Sequence, residues 1–524
     1  MKNRLLSGIL TLVSLGLFAL NADAQFSSGT GVSGDPYVIT TAAQLNDVRN
    51  YPSSYFRLGN DIDLETWLTT NSPTAGWDPI GTAASYFSGN FDGNGYSING
   101  LWIDRPTTNN IGLFGTVSGT VEIKNLGVNI ATGKHIAGGD DVAGIVAYAT
   151  NTVATTLKIS NSYVSGTISG NKNVGAFIGY NNWAGATLEN CYAKGSVTTT
   201  GDGCGGLIGN SWGGVKLVIN KCYAYNQVSA SASAGSGGGL LGGASASTAS
   251  GINTTISNSF ILNPTIDGKT ANRIYGFIKS GAVINISNNY AFEESLVNGV
   301  TVSTGSANDI NGLNKTAEEL LQNNAQYSNL GWDFSAVWTL SNGTYPFPVL
   351  KTLALTNQPS ALPTNLTYDV LLSASVGEGG GTITPASSSL TISGGVAGSQ
   401  SFTITPDANY TVDKLLVNGV DKKNEISSGS YTLSNIINNQ TLIVSFKTTT
   451  GLEFANADQL VVYPNPVKDI LFVKGKEVTD KVLVYNSVGR IVLQSSDSQI
   501  DMSNLARGIY SVSINGKSVK IIKK

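Results

Sequence analysis

The sequence predicts an all-β fold: a parallel β-helix solenoid followed by two small antiparallel β-sandwich-like domains. A Gly-apolar-apolar motif returns six times in the first two-thirds of the chain, and a second motif with an aromatic residue recurs five times. Two motifs at one interval of about 31 residues indicate a unit that is stacked on itself. Short β-branched strands between Gly and Asn fit one β-helix coil per unit. The first motif begins at Gly112, Gly144, Ala176, Gly206, Gly239 and Gly276; the second carries Tyr163, Tyr192, Tyr223, Phe260 and Tyr290.

Alternation along the strand of the second motif assigns its side chains to opposite faces. A small or aliphatic residue follows each aromatic residue, which predicts an inward ladder and an outward aromatic stripe. Exposed aromatic rings can stack on sugar rings, so the stripe is the candidate binding surface for a glycan or protein. The alternative is a packing ladder covered by neighbouring turns or by Trp183 and Trp212. The ladder would contain Val164, Ala193, Ala224, Ile261 and Ala291; the aromatic stripe is Tyr163, Tyr192, Tyr223, Phe260 and Tyr290.

Residues 29–350 resemble the GLUG-motif repeats of bacterial surface proteins. The resemblance rests on the repeats, on a lead-in that includes residues 77–81 and 91–96, and on an exit from residue 330 to 346. It implies a right-handed parallel β-helix in a surface context, and it implies no activity. We assign residues 25–350 to this solenoid.

The ends of a solenoid are open sheet edges that must be covered. Two segments have the spacing of a helix capping box, Thr41 to Gln44 and Thr316 to Glu319. We expect each to begin a short helix that caps one end.

The N-terminus has the pattern of a secretory signal peptide. Lys2 and Arg4 precede an apolar run over residues 5–20. Small residues then predict cleavage between Ala24 and Gln25, so residues 1–24 are expected to be removed. No other stretch approaches about 18 apolar residues, so no transmembrane helix is expected.

Residues 460–524 alternate strictly and predict a small antiparallel sandwich. Tyr463-Pro464-Asn465-Pro466, residues 505–510 and Lys523-Lys524 resemble the type A sorting domain of type IX secretion. The resemblance implies export by the type IX secretion machinery to the outer surface of a Gram-negative bacterium. It also implies removal of the domain and attachment to a surface lipopolysaccharide.

Between these parts, residues 368–447 predict a small all-β module flanked by linkers at 351–367 and 448–459. Asn418-Gly419 is a hairpin turn signal inside it. The module resembles extracellular spacers of bacterial surface proteins, and we favour a stalk over an auxiliary binding module.

The composition excludes several chemistries. One His and three Cys in 524 residues leave no room for a His-rich zinc site and almost none for a Ser-His-Asp triad. A His-Glu-x-x-His signature, a phosphate-binding loop and a basic patch are absent from the sequence, so we expect no cofactor, no metal and no nucleic-acid partner. Asp61 and Asp63 are interpreted as turn residues, because calcium needs six or more oxygens.

The cysteines are predicted to be structural. Cys191 and Cys222 occupy one repeat position and should be neighbours across adjacent coils. A disulfide is conceivable, but stacked parallel strands give poor torsion for one, so we predict reduced, buried thiols. Cys204 has no such neighbour.

One charged ladder has two interpretations. Asp140, Lys172 and Asp202 fall at matching repeat positions. Two carboxylates two coils apart would be about 9–10 Å from each other, near the upper limit for an inverting glycosidase. The favoured alternative is an alternating-charge stack, with nearby His135 an exposed turn residue.

These observations favour a secreted, surface-attached, non-enzymatic β-helix protein that acts in adhesion or in glycan or protein binding, and that is monomeric. One alternative is a polysaccharide lyase or glycoside hydrolase on the same scaffold. Another is a purely structural surface-layer component. A cleft flanked by Asp, Lys or Arg would support the enzyme, and a flat side lined by aromatic residues would support binding.

Overall fold

The computed structural model describes residues 25–524 except for eleven internal segments. The predicted signal peptide with Ala24 lies outside the described residues. Strands make up 55% and helices 7%, and a solenoid of about seven turns precedes small antiparallel sheets, so the predicted fold class is confirmed. The segments left out are 151–155, 183–184, 214–215, 246–252, 280, 322–323, 342–344, 360–366, 394–396, 450–459 and 475–478.

The chain divides into two compact units. The first contains the solenoid and most of the module that follows it, and the second contains the C-terminal domain. The first runs to Gly377 and includes Thr382–Thr405 and Asp413–Ser445; the second consists of Glu378–Gly381, Pro406–Val412 and Phe446–Lys524.

The first sequence motif forms a six-stranded parallel sheet, with one strand per coil. The register corrects the sixth copy: Leu241 pairs with Tyr275, which places Gly239 opposite Arg273. Gly276 is therefore the fourth residue of its motif, and the prediction that this copy begins there is wrong by three residues. The strands are Phe114–Val117, Val146–Thr150, Ile178–Asn182, Ile208–Trp212, Leu241–Ser245 and Tyr275–Ile278.

Each coil also contributes two strand segments that meet at a bend. The bend residue has a left-handed conformation, which Asn adopts more readily than other non-Gly residues. Asn side chains also bond from coil to coil, as from Asn190 Nδ2 to Asn161 Oδ1 at 3.1 Å. The Asn of the second motif thus sets the bend. The bend residues are Asn125, Asn161, Asn190, Lys221, Asn258 and Asn288, with φ between 50° and 56°.

We call the segments before the bend the first arm and those after it the second arm. Two long strands, Thr156–Gly170 and Gly185–Thr199, run through both. The first arm adds Tyr37–Ile39, Tyr55–Leu58, Asn90–Asp92, Thr120–Lys124, Leu217–Asn220, Asn253–Ser257 and Val283–Ser287. The second adds Ile62–Asp63, Ser97–Leu101, Ile103–Asp104, Gly127–Ile130, Ile136–Ala137, Tyr223–Ala230, Phe260–Ile261, Thr265–Asp267, Tyr290–Phe292, Leu296–Val297 and Leu313–Lys315. Val300–Thr301 pairs antiparallel with Leu296–Val297.

A short parallel sheet links the second arm to the six-stranded sheet in five coils. Its strands are Asp140–Ala143, Lys172–Gly175, Cys204–Gly205, Ser236–Gly238 and Thr270–Asn272.

The predicted inward ladder is confirmed. Its members pair in register from coil to coil, and none is more than 1% exposed. Apolar burial of this kind is the main stabilising contribution in a stacked fold. The ladder is Val164, Ala193, Ala224, Ile261 and Ala291.

All three cysteines are free and buried, as predicted. Cys191 and Cys222 each donate to the carbonyl two residues earlier, both at 3.2 Å. Ser162 and Ser259, at the same repeat position in other coils, make the same bond at 2.8 Å. The thiols therefore replace serine hydroxyls at the bend, and burial raises the pKa of Cys191.

The two capping-box segments begin helices, but only the first covers a solenoid end. Ala42–Asp47 buries Leu45 in the solenoid core. Ala317–Leu320 has the complete capping box of Thr316 and Glu319, yet Ala317 and Leu320 pack against the aromatic stripe. The predicted exit cap therefore covers the side of the second arm. Further helices are Glu65–Asn71 and Asn324–Ser328, with single 3₁₀ turns at Val48–Asn50, Leu355–Asn357 and Lys423–Glu425.

The module after the solenoid consists of antiparallel strands. The predicted hairpin at Asn418-Gly419 is present, because Val417 pairs with Val420 across it. Its strands are Thr367–Glu378, Gly381–Thr384, Ser387–Ser393, Gly398–Pro406, Tyr410–Val417, Val420–Asp421, Ser430–Ile436 and Gln440–Thr448.

The C-terminal domain has one three-stranded and one four-stranded antiparallel sheet around a small apolar core. The first sheet contains Val461–Tyr463, Ile470–Lys474 and Gln499–Asp501. The second contains Val482–Tyr485, Ile491–Ser495, Gly508–Ile514 and Lys517–Lys523.

Candidate functional site

The aromatic stripe points away from the solenoid core, as predicted, but it is buried. Tyr163, Tyr192, Tyr223 and Phe260 are at most 1% exposed, and Tyr290 is half-buried. The Tyr192 and Tyr223 rings stack with centroids 4.9 Å apart and planes 5° apart. The prediction that the stripe is an accessible surface is therefore wrong, and the packing-ladder alternative describes its geometry.

The described residues between 317 and 358 form a cover over the stripe. Trp332 and Trp338 lie against Tyr223, with ring centroids 6.3 Å and 6.1 Å from it. The Tyr223 hydroxyl donates to the Pro348 carbonyl at 2.7 Å. The cover consists of the helices Ala317–Leu320 and Asn324–Ser328, the hairpin Trp338–Ser341 with Tyr345–Leu350, and the turn Leu355–Asn357.

Gln358 binds the end of this cover to the stripe. Its side-chain oxygen accepts from the Tyr192 hydroxyl at 2.8 Å and from the Leu350 amide at 2.9 Å. Its side-chain nitrogen donates to the carbonyls of Leu350 and Leu353. Residues 351–358, predicted as the start of a linker, therefore pack on the solenoid.

Of the two tryptophans suggested as a cover from the sequence, one belongs to another sheet and the other is not described. Trp212 belongs to the strand Ile208–Trp212 of the six-stranded sheet, and Trp183 lies outside the described residues. The sequence signal for the cover was in the exit segment. Trp332 and Trp338 are large apolar side chains, and they require an apolar surface to pack against. The aromatic stripe is that surface.

An open groove of about 770 Å³ runs along the outward side of the first arm. Six paired strands contribute to it, from Tyr55–Leu58 to Leu217–Asn220. At the usual strand spacing the groove is about 24 Å long. No repeat motif marks its residues, so sequence reasoning missed it. We call it the first-arm groove; its polar lining includes Tyr55, Arg57, Asn90, Asp92, Thr120, Glu122, Lys124, Thr156, Lys158, Thr187 and Lys216.

Both carboxylates of the groove have partners. Glu122 lies 3.0 Å from the Lys124 ammonium and 3.5 Å from that of Lys158. Asp92 accepts a hydrogen bond from the Asn125 side chain at 3.0 Å. The acidic groups are therefore held in place by neighbouring side chains.

The contacts of Glu122 with Lys124 and Lys158 affect the protonation of these side chains. Burial alone would raise the pKa of Glu122, but Lys124 and Lys158 together hold it below its usual value. The hydrogen bond to Glu122 raises the pKa of Lys124. Near neutral pH Glu122 is ionised and Lys124 is protonated, so neither is poised for proton transfer. The groove offers charge and hydrogen bonds.

One of the two steps of the charged ladder is an ion pair among the described residues. Asp140 pairs in register with Lys172, with 3.9 Å between their charged atoms. Asp202 accepts from the Ser236 hydroxyl at 2.5 Å. His135 is exposed. Each of the two carboxylates thus has a partner from a neighbouring coil.

The acidic residues considered as calcium ligands accept hydrogen bonds from the protein itself. The Asp61 carboxylate accepts from the Ser97 amide and the Asn357 side chain, and Asp63 accepts from the Glu65 amide. Over residues 25–524 without the segments named above, no group of three or more His, Cys, Asp or Glu residues could hold a metal ion.

Asp141 is a largely buried carboxyl that sequence reasoning missed. It has a left-handed φ of 62°, at a position where the neighbouring coils have Asn110 and Asn173. Asn173 donates to its Oδ1 at 2.7 Å. Burial raises the pKa of Asp141 to about 6. The signal in the sequence was an Asp at a coil position that is Asn in both neighbouring coils.

Asp141→Asn should stabilise the protein above about pH 6 and leave it unchanged below about pH 4. The pKa is about 6 when folded and 3.8 ordinarily, so the folded state binds the proton more tightly. The contribution of Asp141 to wild-type stability should thus be largest below pH 3.8, fall as pH rises to about 6, and then stay level. The amide removes this loss of about 1–3 kcal/mol and can still accept from Asn173.

Denaturant midpoints measured across this pH range test the prediction. Asp140→Asn, on the adjacent residue of the same strand, is the matched control and should change the free energy of unfolding by less than about 1 kcal/mol. A difference in stability between Asp141→Asn and the wild type that stays constant between pH 4 and 6 would contradict the prediction.

Two family profiles match parts of the chain. Residues 461–524 match the secretion system C-terminal sorting domain, and residues 170–198 match the GLUG motif. The GLUG match contains the strands Lys172–Gly175 and Ile178–Asn182 and most of the following long strand. It therefore covers about one coil.

Curated relatives match shorter stretches. A protein of Evansella cellulosilytica, provisionally described as a Gly-rich membrane protein, is 43% identical over 113 residues, which are 21% of this chain and 12% of that protein. Halomucin of Haloquadratum walsbyi is 31% identical over 162 residues, 29% of this chain and 2% of its own. Beta-agarase A of Zobellia galactanivorans is 34% identical over 67 residues, 12% of each chain. The chain thus spans 12% or less of the length of these relatives.

A solved structure from Bacteroides ovatus, provisionally described as an immunoglobulin A1 protease, covers a larger part of the chain. It is 24% identical and superimposes with a TM-score of 0.49 over 63% of this chain and 96% of its own. A likeness at this level carries no argument about activity.

The helices give no sign of a membrane span: none within the described residues combines the length and apolar character that crossing a bilayer requires. The C-terminal match indicates a secreted, cell-surface protein and implies interaction with the type IX secretion machinery. The chain therefore carries a GLUG motif on a β-solenoid and a C-terminal sorting domain.

Proposed function

We propose that the solenoid binds a glycan chain in the first-arm groove and acts in adhesion or glycan binding at the cell surface. The groove itself carries the proposal. Its volume of about 770 Å³ falls within the usual range of about 300–1,000 Å³ for ligand sites. Because it extends across six strands, it fits an elongated polymer better than a compact molecule.

The chemistry of the lining supports a sugar ligand. Thr120, Thr156 and Thr187 present hydroxyl groups, and Asn90 presents an amide. Thr120 pairs in register with Thr156, and Lys158 with both Glu122 and Thr187. Each row therefore repeats at about 4.8 Å on a rigid scaffold, which reduces the entropy lost when a polymer binds. Rows of hydrogen-bonding groups at a fixed interval suit a polymer with repeating hydroxyls.

The enzyme alternative has one observation in its favour, since Asp92, Glu122 and Lys124 flank the groove. The lowered pKa of Glu122 and the raised pKa of Lys124 favour binding over proton transfer. Incubation with a bound polysaccharide distinguishes the two functions. Release of reducing ends or unsaturated uronates would establish the enzyme, and an intact polymer supports binding.

A bulky residue in the groove tests the proposal. The full chain is applied to an array of plant, algal and bacterial polysaccharides, together with Thr187→Trp. Thr167→Trp is the matched control, because Thr167 is an exposed residue on the second-arm part of the neighbouring strand and does not line the groove. We expect Thr187→Trp to abolish binding and Thr167→Trp to retain it.

Binding that survives Thr187→Trp would place the ligand elsewhere. A wild-type chain that binds no polysaccharide would favour the structural surface-layer role.

A further inference from the structure

The first-arm groove is positively charged on a negatively charged protein. It contains four cations and two carboxylates, a net charge of +2, whereas the whole chain has a formal net charge of −3. The groove therefore has the opposite sign to the rest of the molecule. The cations are Arg57, Lys124, Lys158 and Lys216, and the carboxylates are Asp92 and Glu122.

The cations are distributed along the length of the groove. Lys124 and Lys158 share Glu122 at its middle. Arg57 is on the first contributing strand and Lys216 directly precedes the last. Those two end positions are therefore about five strand intervals, or about 24 Å, apart along the stack.

The two end cations have no direct polar partner among the described residues. Within the described part of the chain, the side chains of Arg57 and Lys216 form no hydrogen bond or ion pair. Glu122 can compensate only one of the two lysines that contact it. Asp92 lies on the next strand in register with Arg57, so it offsets part of the charge at that end. The remaining net charge of +2 is spread along the groove, which suits a ligand with repeated negative charges.

We propose that the first-arm groove selects a polysaccharide bearing carboxylate or sulfate groups. This inference rests on the proposed glycan-binding function and adds its substrate class. Arg57, Lys216 and the pair Lys124 and Lys158 bind successive anionic groups, while Thr156 and Thr187 contact sugar hydroxyls between them. Affinity should increase with polymer length until the groove is filled.

Titration calorimetry with the full chain and matched polymers tests the proposal. Polygalacturonate is compared with its methyl ester, and dextran sulfate with dextran, so each pair isolates carboxylate or sulfate on one backbone. We expect at least one charged polymer to bind about tenfold or more tightly than its neutral partner. Added salt should weaken that binding, because the groove is open to solvent.

The double variant Arg57→Gln/Lys216→Gln should weaken charged-polymer binding about tenfold and leave neutral-polymer binding unchanged. Lys269→Gln/Lys414→Gln removes two exposed lysines outside the groove and should leave both unchanged. Equal melting temperatures of the two variants establish that folding is retained.

Three other outcomes would overturn the proposed selection of a charged polysaccharide. Equal affinity for charged and neutral polymers overturns the charge selection and leaves glycan binding intact. Binding to none of the four, together with no binding on the polysaccharide array, overturns both. Competition by DNA at equal charge concentration shows a general polyanion site and overturns selection of a polysaccharide.

Discussion

Tyr223→Ala should lower the free energy of unfolding by about 3–5 kcal/mol. The ring lies between stacked Tyr192 and the cover residues Trp332 and Trp338. Rigid rings on several sides cannot collapse into the space left, so a cavity remains. The hydrogen bond to Pro348 is lost as well. Denaturant unfolding followed by tryptophan fluorescence measures the change, because two of the seven tryptophans are in contact with the ring.

Two controls separate the contributions. Tyr223→Phe keeps the ring and removes only the bond to Pro348, so about 1–2 kcal/mol is expected. Tyr148→Ala makes the same truncation at a half-buried position of the six-stranded sheet and should cost about 1 kcal/mol. If Tyr223→Ala costs no more than Tyr148→Ala, the stripe is not covered in solution and its predicted role in binding returns.

Arg273→Gly should destabilise the protein by about 3–5 kcal/mol, although Gly occupies this position in four of the five preceding coils. In those coils a side chain would strike the next coil: a Cβ on Gly239 would lie 2.1 Å from the carbonyl oxygen of residue 273. Arg273 belongs to the last coil of the six-stranded sheet within the described residues. A large side chain can therefore occupy this position in the interior.

The Arg273 guanidinium donates to the carbonyls of Glu293 at 3.0 Å and Val302 at 3.3 Å, and to the Asn314 side chain. Burial lowers its pKa to about 10, so it remains a cation at neutral pH. Removing the guanidinium takes this donor from the Glu293 carbonyl and the Asn314 side-chain oxygen, whereas the Val302 carbonyl still accepts from the Asn314 side chain at 3.0 Å.

Thermal and denaturant unfolding of Arg273→Gly, Arg273→Met and Arg273→Lys measure these contributions. Arg273→Met retains volume and should recover part of the loss, whereas Arg273→Lys retains charge with fewer donors. A Gly variant as stable as the wild type would show that the arginine has no capping role.

Local patterns predicted the coil well because its determinants are local. The Asn that begins the second motif sets the bend, and the residue after Tyr192 or Tyr223 enters the core by strand alternation. The sixth copy was misplaced because Arg273 replaces the Gly that begins the motif in most other coils.

The candidate site was harder to predict because its determinants are distant in sequence. Tyr223 is covered by a segment 125 residues away, at Pro348, and no periodicity reveals that contact. The groove combines Arg57 and Lys216 from different coils with side chains that follow no shared motif. Only the assembled register brings such residues together.

The cover over the aromatic stripe also limits how this solenoid can evolve. In most repeat proteins each repeat contacts only its neighbours, so whole repeats can be gained or lost. Here one segment contacts separated coils at once: the Asn129 side chain donates to the Asn357 carbonyl at 3.0 Å, and Trp332 donates to the Asn258 carbonyl at 2.8 Å. Deleting a central coil would shift these partners by about 4.8 Å relative to each other. Insertions and deletions of whole coils should therefore be tolerated only where they lie outside the covered span.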